Sequence, residues 1–93
     1  MKLEYDEQKS EKNRIERDLP FSMVADFEFD TAFIREDLRY EYAETRYRAL
    51  GRIGNRLYAL VFCLRNEAVR VISFRKANVR EIKLYEQNKK FSD

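Results

Sequence analysis

A chain rich in arginine and devoid of histidine has a narrow chemical repertoire, and the spacing of its charged residues sets what remains. Twelve of the 19 basic residues are arginines. Arg46, Arg48, Arg52, Arg56, Arg65, Arg70, Arg75 and Arg80 crowd the stretch from position 46 onward, whereas most acidic residues precede position 45. Guanidinium forks bind phosphate oxygens bidentately and stay charged when desolvated, so an arginine-rich sheet suits an RNA backbone. RNA carries its own nucleophile, because the 2′-hydroxyl attacks the neighbouring phosphorus once it is oriented and the developing charge is stabilised. Glu44 and Arg46 are two apart, which on a strand places a base beside a phosphate clamp on one face. Arg65 lies just beyond the apolar run 57–62, and Arg75 precedes a predicted helix N-terminus, whose free amides favour an anion. Each residue also suits a plainer role. Glu44 with Arg46 makes an ordinary surface pair, Arg65 a turn residue, Glu81 a helix cap, and Tyr58 and Tyr85 core residues.

Other chemistries are disfavoured. The absence of histidine removes the commonest general base and the usual imidazole metal ligand. Gly51 and Gly54 are the only glycines, so there is no glycine-rich phosphate loop, and no nucleophile-elbow motif is present. Cys63, the single cysteine, sits in an apolar run as a small buried hydrophobe and leaves no intramolecular disulfide or thiolate cluster. No metal or cofactor is expected. A net charge of +2 is too small to announce a nucleic-acid binder, so the distribution of cations carries the signal. By composition alone the basic half also fits a solvated surface or a docking face for an acidic partner.

The elements that must position these residues are legible in outline. A chain of 93 residues with 44% hydrophobic content suits one domain over 1–93. No stretch approaches the roughly 18 to 20 apolar residues of a membrane span, and Met1 to Lys12 lacks a signal-peptide core, so a cytoplasmic location is expected. Lys2 to Tyr5 suits a short edge strand, and Asp6 an N-cap for a charged helix from Glu7 to about Arg17. That helix has one apolar residue, Ile15, and should lie exposed or be covered by a partner. Pro20 breaks the pattern, and Ser22 can cap a second helix with Phe21, Val24, Ala25, Phe27 and Phe29 as its apolar surface. Phe33 to about Arg39 reads as a strand and Tyr40 to Glu44 as a loop.

Thr45 to Lys76 predicts an antiparallel meander of Tyr47–Arg52, a central Arg56–Leu64 and Ala68–Phe74, turning at Gly54-Asn55 and Asn66-Glu67. Asn78 and Glu81 have capping-box spacing before a helix with Val79, Ile82 and Tyr85, followed by a polar tail. The order is an α+β plan in which both helical regions can pack on one sheet, leaving one sheet face open.

Across nearly its whole length the sequence resembles the BrnT toxins of bacterial type II toxin–antitoxin systems. Leu3-Glu4-Tyr5-Asp6 with Lys9 is similar to the family's aromatic-Asp opening and its following Lys, and Asn13 falls where an Asn recurs in the first helix. Phe21 and Phe29-Asp30 fit the second helix. Glu44-x-Arg46-Tyr47 with Leu50-Gly51, then Val61-Phe62 with Arg65 three residues on, follow the family order. Most specific is Arg70-Val71-Ile72-Ser73-Phe74-Arg75-Lys76-Ala77, similar to the family's Arg-Ile-Ile-Ser-Ala-Arg-Lys-Ala, with Glu81 and Tyr85 beyond it. One departure stands out, since Glu16-Arg17-Asp18 occupies the place of the family's Lys-His-Gly.

The resemblance implies a RelE-like α+β fold, an antiparallel β-sheet with two N-terminal helices and one C-terminal helix. It also implies a metal-independent endoribonuclease that inhibits translation and growth. A BrnA-like antitoxin with a ribbon-helix-helix DNA-binding domain would neutralise it, so that operator DNA is met only through the antitoxin. Arg65, Arg75, Glu44 and Arg46 are then the expected catalytic residues. Arg17, Arg48, Arg70, Lys76 and Arg80 are the expected RNA-binding ones. Arg17 in the histidine's place can bind phosphate but cannot readily exchange a proton. That keeps a second reading open, a toxin homologue without activity that acts as an antitoxin-binding corepressor or a small RNA-binding module.

Overall fold

A computed structural model describes residues 2–89 of the chain; the expected polar tail runs on from there, outside the described residues. Five strands form one sheet: β1 (Lys2–Glu4), β2 (Phe33–Glu36), β3 (Tyr47–Ile53), β4 (Arg56–Arg65) and β5 (Ala68–Lys76), in the order β1-β5-β4-β3-β2. The expected central strand is β4, flanked by its two hairpin partners. Gly54 at φ +60° supplies the left-handed residue of the first hairpin turn. Asn66 and Glu67, at φ 51° and 67°, make the second a two-residue turn whose twist matches the strands.

The sheet is mixed where an antiparallel one was expected. β2 to β5 form an antiparallel meander, but β1 pairs with β5 in parallel, Leu3 opposite Val69. A three-residue strand has too little pattern to disclose its direction. The second helix is also different, since 3-10 turns at Phe21–Asp26 and Phe29–Thr31 replace an α-helix and Ser22 caps nothing. Phe21, Val24 and Phe27 are the buried residues of this segment, spaced by three, which is the repeat of the tighter helix.

The helical regions take opposite faces rather than sharing one. Leu19, Phe21, Val24 and Phe27 cover one face of the sheet, packing on Ala49, Tyr58, Leu60, Phe62, Val69, Val71 and Phe74. On the other face, α2 (Val79–Asn88) lays Tyr85 and Leu84 over Leu50 and Ala59 near one end of the sheet and leaves the remainder uncovered. Tyr58 and Tyr85 are buried, at 7% and 3% exposure, as a core role requires.

Helix α1 (Glu7–Arg17) leaves Ile15 exposed, as expected, and is anchored by polar side chains instead of an apolar stripe. Asp6 caps its first turn through Gln8 N and Lys9 N. Ser10 Oγ accepts from Phe21 N at 2.9 Å. Asn13 Nδ2 donates to Leu19 O at 2.7 Å and Phe74 O at 2.9 Å, which ties the helix to β5 beyond the span that β1 pairs. Asp18 closes the helix at φ 60°, its N–H on Arg14 O. This is the position of the resembled family's glycine, and a left-handed terminus is where glycine is favoured. Among the described residues no helix is long and apolar enough to cross a membrane.

Gly51 shows how tightly the 3-10 layer sits on the sheet. A Cβ there would lie 2.5 Å from Phe27 Cζ, 2.8 Å from its Cε2 and 3.0 Å from Ala32 Cβ. Gly51→Ala should therefore cost about 1–3 kcal/mol through overpacking. Urea unfolding is the measurement, and a midpoint equal to wild type would show that Phe27 has room to move.

Candidate active site

Strand alternation decides which arginines meet. Phe33 and Arg35 of β2, Arg48 and Leu50 of β3, Ala59, Val61, Cys63 and Arg65 of β4, and Arg70, Ser73 and Arg75 of β5 share the partly open face. A bulge beside Val61 and Phe62 keeps both ends of β5 in phase with that face. The small residues Ala59 and Val61 form a low floor, and the arginines rise around it. With the first turns of α2 they enclose a cavity of about 270 Å³, whose charged lining is Arg35, Arg39, Arg48, Arg75, Arg80 and Glu81.

Positive charge dominates this cavity. Arg35 and Arg48 lie directly opposite each other on neighbouring strands, a like-charge pairing that destabilises the sheet. Burial first, then the charge of Arg48, presses the pKa of Arg35 below the usual guanidinium value. Its Nε is buried without a hydrogen-bond partner among the described residues, while its guanidinium lies 5.0 Å from the Phe33 ring centre. An anion here would relieve both costs. Arg39 is held by Asp37 through a two-pronged pair, both contacts at 2.8 Å.

Glu81 is the carboxylate of the cavity wall. It forms a fork with Arg75, Oε1 to one terminal nitrogen and Oε2 to the other, both at 2.7 Å. Oε1 also accepts from Asn78 N at 2.9 Å, while Asn78 Oδ1 accepts from Glu81 N at 2.8 Å, so the expected capping box forms. The Arg75 hydrogen bonds hold the Glu81 carboxyl below the usual carboxylate range. An anion does sit at the α2 N-terminus, and it is the protein's own.

A second charged group occupies the far end of the same face. Glu44 Oε1 accepts from Arg65 at 2.7 Å, and the bond to Arg65, then the Cys63 thiol, lowers the Glu44 pKa. Cys63 is fully buried, and burial, then Glu44, pushes its thiol up. Arg46 packs its guanidinium 4.3 Å from the Tyr42 ring centre, its Nε buried and unpartnered. Arg70 lies 3.7 Å from Glu4.

The family description that matches residues 5–81 is a ribonuclease toxin, BrnT, of a type II toxin–antitoxin system. The chain belongs to the BrnT family. It shares 31% identity with the Brucella abortus ribonuclease toxin BrnT, solved as a crystal structure at 1.1 Å. That likeness covers 84% of this chain and 97% of that one, with a TM-score of 0.61. Among curated proteins none matches. Membership of a type II toxin–antitoxin family implies an antitoxin partner, and the matched span includes both charged groups described above.

Against this frame the expected site residues of the BrnT chain fall into two sets. Arg75, Arg48 and Arg80 meet at the α2 cavity. Glu44, Arg65, Arg46 and Arg70 lie toward the other end, and Arg65 is six residues along β4 from Ala59, the partner of Arg75. At strand rise this separates the Arg65 and Arg75 positions by about 20 Å, too far for one phosphate to bridge. Glu44 and Arg46 do not share a strand face, since β3 starts at Tyr47; a loop carries Glu44 to Arg65 instead. Lys76 pairs with Tyr58 and projects from the opposite face. Arg17 stands at the outer side of β5, 3.4 Å from Phe74 O. Arg35, Arg39 and the pairing role of Glu81 were not anticipated. Alternation from Phe33 would have placed Arg35, and Arg39 had no such signal. Among the described residues no three His, Cys, Asp or Glu side chains are grouped to hold a metal ion.

The loop between β2 and β3 depends on Asp37, 3% exposed, which ends the expected strand early by turning its carboxylate onto Arg39 N, the Arg39 guanidinium and Tyr42 OH. Those bonds, the Arg39 guanidinium foremost, hold its carboxyl well below the usual range. A depressed carboxylate contributes stability above its unfolded pKa, about 3.9, and loses it as pH falls toward the folded value. Asp37→Asn should therefore lower stability at pH 7 by about 1–3 kcal/mol. The gap to wild type should begin to narrow only below about pH 4 and close as pH falls on toward the folded value. Urea unfolding at pH 7 and at successively lower pH below about 4 is the check, and a pH-independent gap would contradict the ionised-pair account.

Proposed function

We propose that this BrnT chain is an endoribonuclease that works without a metal and arrests growth by cutting RNA needed for translation. The observation that carries the reading is the arginine-lined cavity, with its excess of cations over the single Glu81, on the uncovered face of a family ribonuclease toxin. In this reading the RNA 2′-hydroxyl is the nucleophile, and Arg75 and Arg48 stabilise charge on the attacked phosphate. Arg65, Arg46 and Arg70 grip the strand further along, with Glu44 as a proton-moving group at that end. Arg80 extends the phosphate track at α2, while Lys76 and Arg17 guide RNA from outside the cavity. We read the whole of 1–93 as one RelE-like domain working in the cytoplasm. A BrnA-like antitoxin with a ribbon-helix-helix domain covers the arginine face and carries the complex to operator DNA.

The alternative, a corepressor without activity, is favoured by one observation. Glu44, Glu81 and Asp37, carboxylates that touch the two arginine groups, are all tied in ion pairs in a chain without histidine. Induced expression without the antitoxin, with total RNA followed beside growth, separates the two. Growth arrest with RNA loss supports the enzyme. Normal growth with stable RNA and folded protein supports the corepressor.

The two arginine groups predict different kinetic losses. Arg75→Ala should lower kcat by about 10²-fold or more, as loss of a transition-state contact does. Arg65→Ala should chiefly raise KM, about ten-fold. Both should relieve growth arrest while the protein stays folded. If both folded variants remain as toxic as wild type, this site assignment is wrong.

A further inference from the structure

We propose that Glu81 is the proton acceptor of the cavity, kept idle by Arg75 until an RNA phosphate takes the Arg75 fork. The proposal rests on the ribonuclease reading and adds a residue and a trigger that the reading does not supply. Three features of the geometry carry it.

Glu81 is the one carboxylate among the residues lining the arginine cavity, and its side chain is 18% exposed against 40% for Glu44. Both of its oxygens lie on Arg75, but the two are not equivalent. Oε1 has a second partner in Asn78 N, within the capping box of α2. Among the described residues Oε2 has Arg75 alone as its hydrogen-bond partner. A phosphate that takes the Arg75 fork bidentately therefore frees Oε2 while Oε1 stays pinned by the helix cap. The carboxylate keeps its place and gains an open lone pair beside the phosphate.

Electrostatics then turns a poor base into a better one. In the free protein the Arg75 bonds stabilise the carboxylate form. Once phosphate replaces Glu81 on the guanidinium, that stabilisation is lost and a second anion lies close by, and both changes raise carboxylate basicity. Arg35, Arg39, Arg48 and Arg80 face the same space, and they hold the phosphate and limit the rise. Arg35 contributes most directly, because its buried Nε has no partner among the described residues and would gain one from an anion.

The reaction balances without a co-reactant other than water. Glu81 Oε2 takes the proton of the 2′-hydroxyl as the 2′-oxygen bonds to phosphorus and the bond from phosphorus to the 5′-oxygen breaks. The 5′-oxygen takes its proton from water, and protonated Glu81 neutralises the hydroxide left behind. The products are a 2′,3′-cyclic phosphate and a 5′-hydroxyl, and Glu81 returns to Arg75 when they leave.

Two experiments on the full chain test this. In the first, Glu81→Gln keeps an acceptor for Asn78 N but removes the base. It should lower kcat for RNA cleavage by about 10²–10⁴-fold, with KM unchanged or lower. In wild type the acid limb of kcat should lie at higher pH than that of kcat/KM, because substrate releases the carboxylate, and the variant should lose both limbs. In the second, the Glu81 carboxyl is titrated by carbon-13 NMR with and without inorganic phosphate. Phosphate should raise its midpoint by about one pH unit or more, and Arg75→Ala should abolish the dependence. A midpoint unmoved by saturating phosphate overturns the proposal whether or not the protein cleaves RNA, and so does a Glu81→Gln variant that cleaves at the wild-type rate. Wild-type protein that leaves RNA intact but shows the phosphate-dependent midpoint overturns the ribonuclease reading and leaves the Arg75 lock standing.

Discussion

Arginines turned toward one shallow cavity repel each other, and the sheet is what forces them to stay. Arg35 and Arg48 are paired by backbone register, so their guanidinium groups cannot separate without breaking the β2–β3 ladder. The register is fixed from behind. Ala49 and Leu60 alternate with the arginine face and are nearly fully buried under the 3-10 layer, as is Phe74 on β5. A slip of one residue would turn those side chains to water and bury the cations. The apolar core on one face is thus the source of the electrostatic strain on the other.

Carboxylates offset that strain only at the margins. Glu81 takes Arg75 and Asp37 takes Arg39, both from segments just outside the central strands. Among the described residues Arg35 and Arg48 are left without a carboxylate partner within hydrogen-bonding reach, which makes the middle of the face the place where an anion gains most. The α2 helix serves both ends of this arrangement. Its capping box fixes Glu81, and its Tyr85, buried and hydrogen-bonded to Thr31 O at 3.3 Å, fixes the helix against the sheet. A wall built on a loop would let the Arg75 fork wander.

The meander, its turns and the capping box were legible in the residues because each rests on local chemistry, such as the alternation within 47–76, glycine and asparagine at positive φ, and Asn78 three before Glu81. The parallel partner of β1 was not legible, since three residues carry no direction. Nor were the 3-10 turns, where Phe21, Val24 and Phe27 fit a repeat of three as well as part of a longer helical stripe. The site was half visible. Arginine types and the Arg75 position pointed to phosphate, yet pairing Glu44 with Arg46 assumed a strand that starts three residues too early. The true partners, Glu44 with Arg65 and Arg75 with Glu81, are set by a hairpin and a helix cap, which sequence spacing alone does not connect.

The missing histidine sharpens what remains. Arg17, which the resemblance sets where the family has a histidine, is hydrogen-bonded toward the Phe74 carbonyl on the outer side of β5, and a guanidinium holds its proton too firmly to pass it on. Tyr58 and Tyr85 are buried in the two apolar clusters and burial pushes the Cys63 thiol up, while in the α2 cavity the acid that lines the wall is a carboxylate, Glu81. Among the described residues Glu4, Glu44 and Glu81 on this face are each engaged by an arginine. On the ribonuclease reading proposed above, proton transfer on this face would be coupled to the displacement of an ion pair, and the natural displacer is the phosphate that the same arginines attract. An imidazole would need no such release, because it can stand beside a guanidinium neutral and unpaired. Without it, the proposed reading makes anion binding and base activation a single event, so the free protein with its ion pairs closed would hold its base idle.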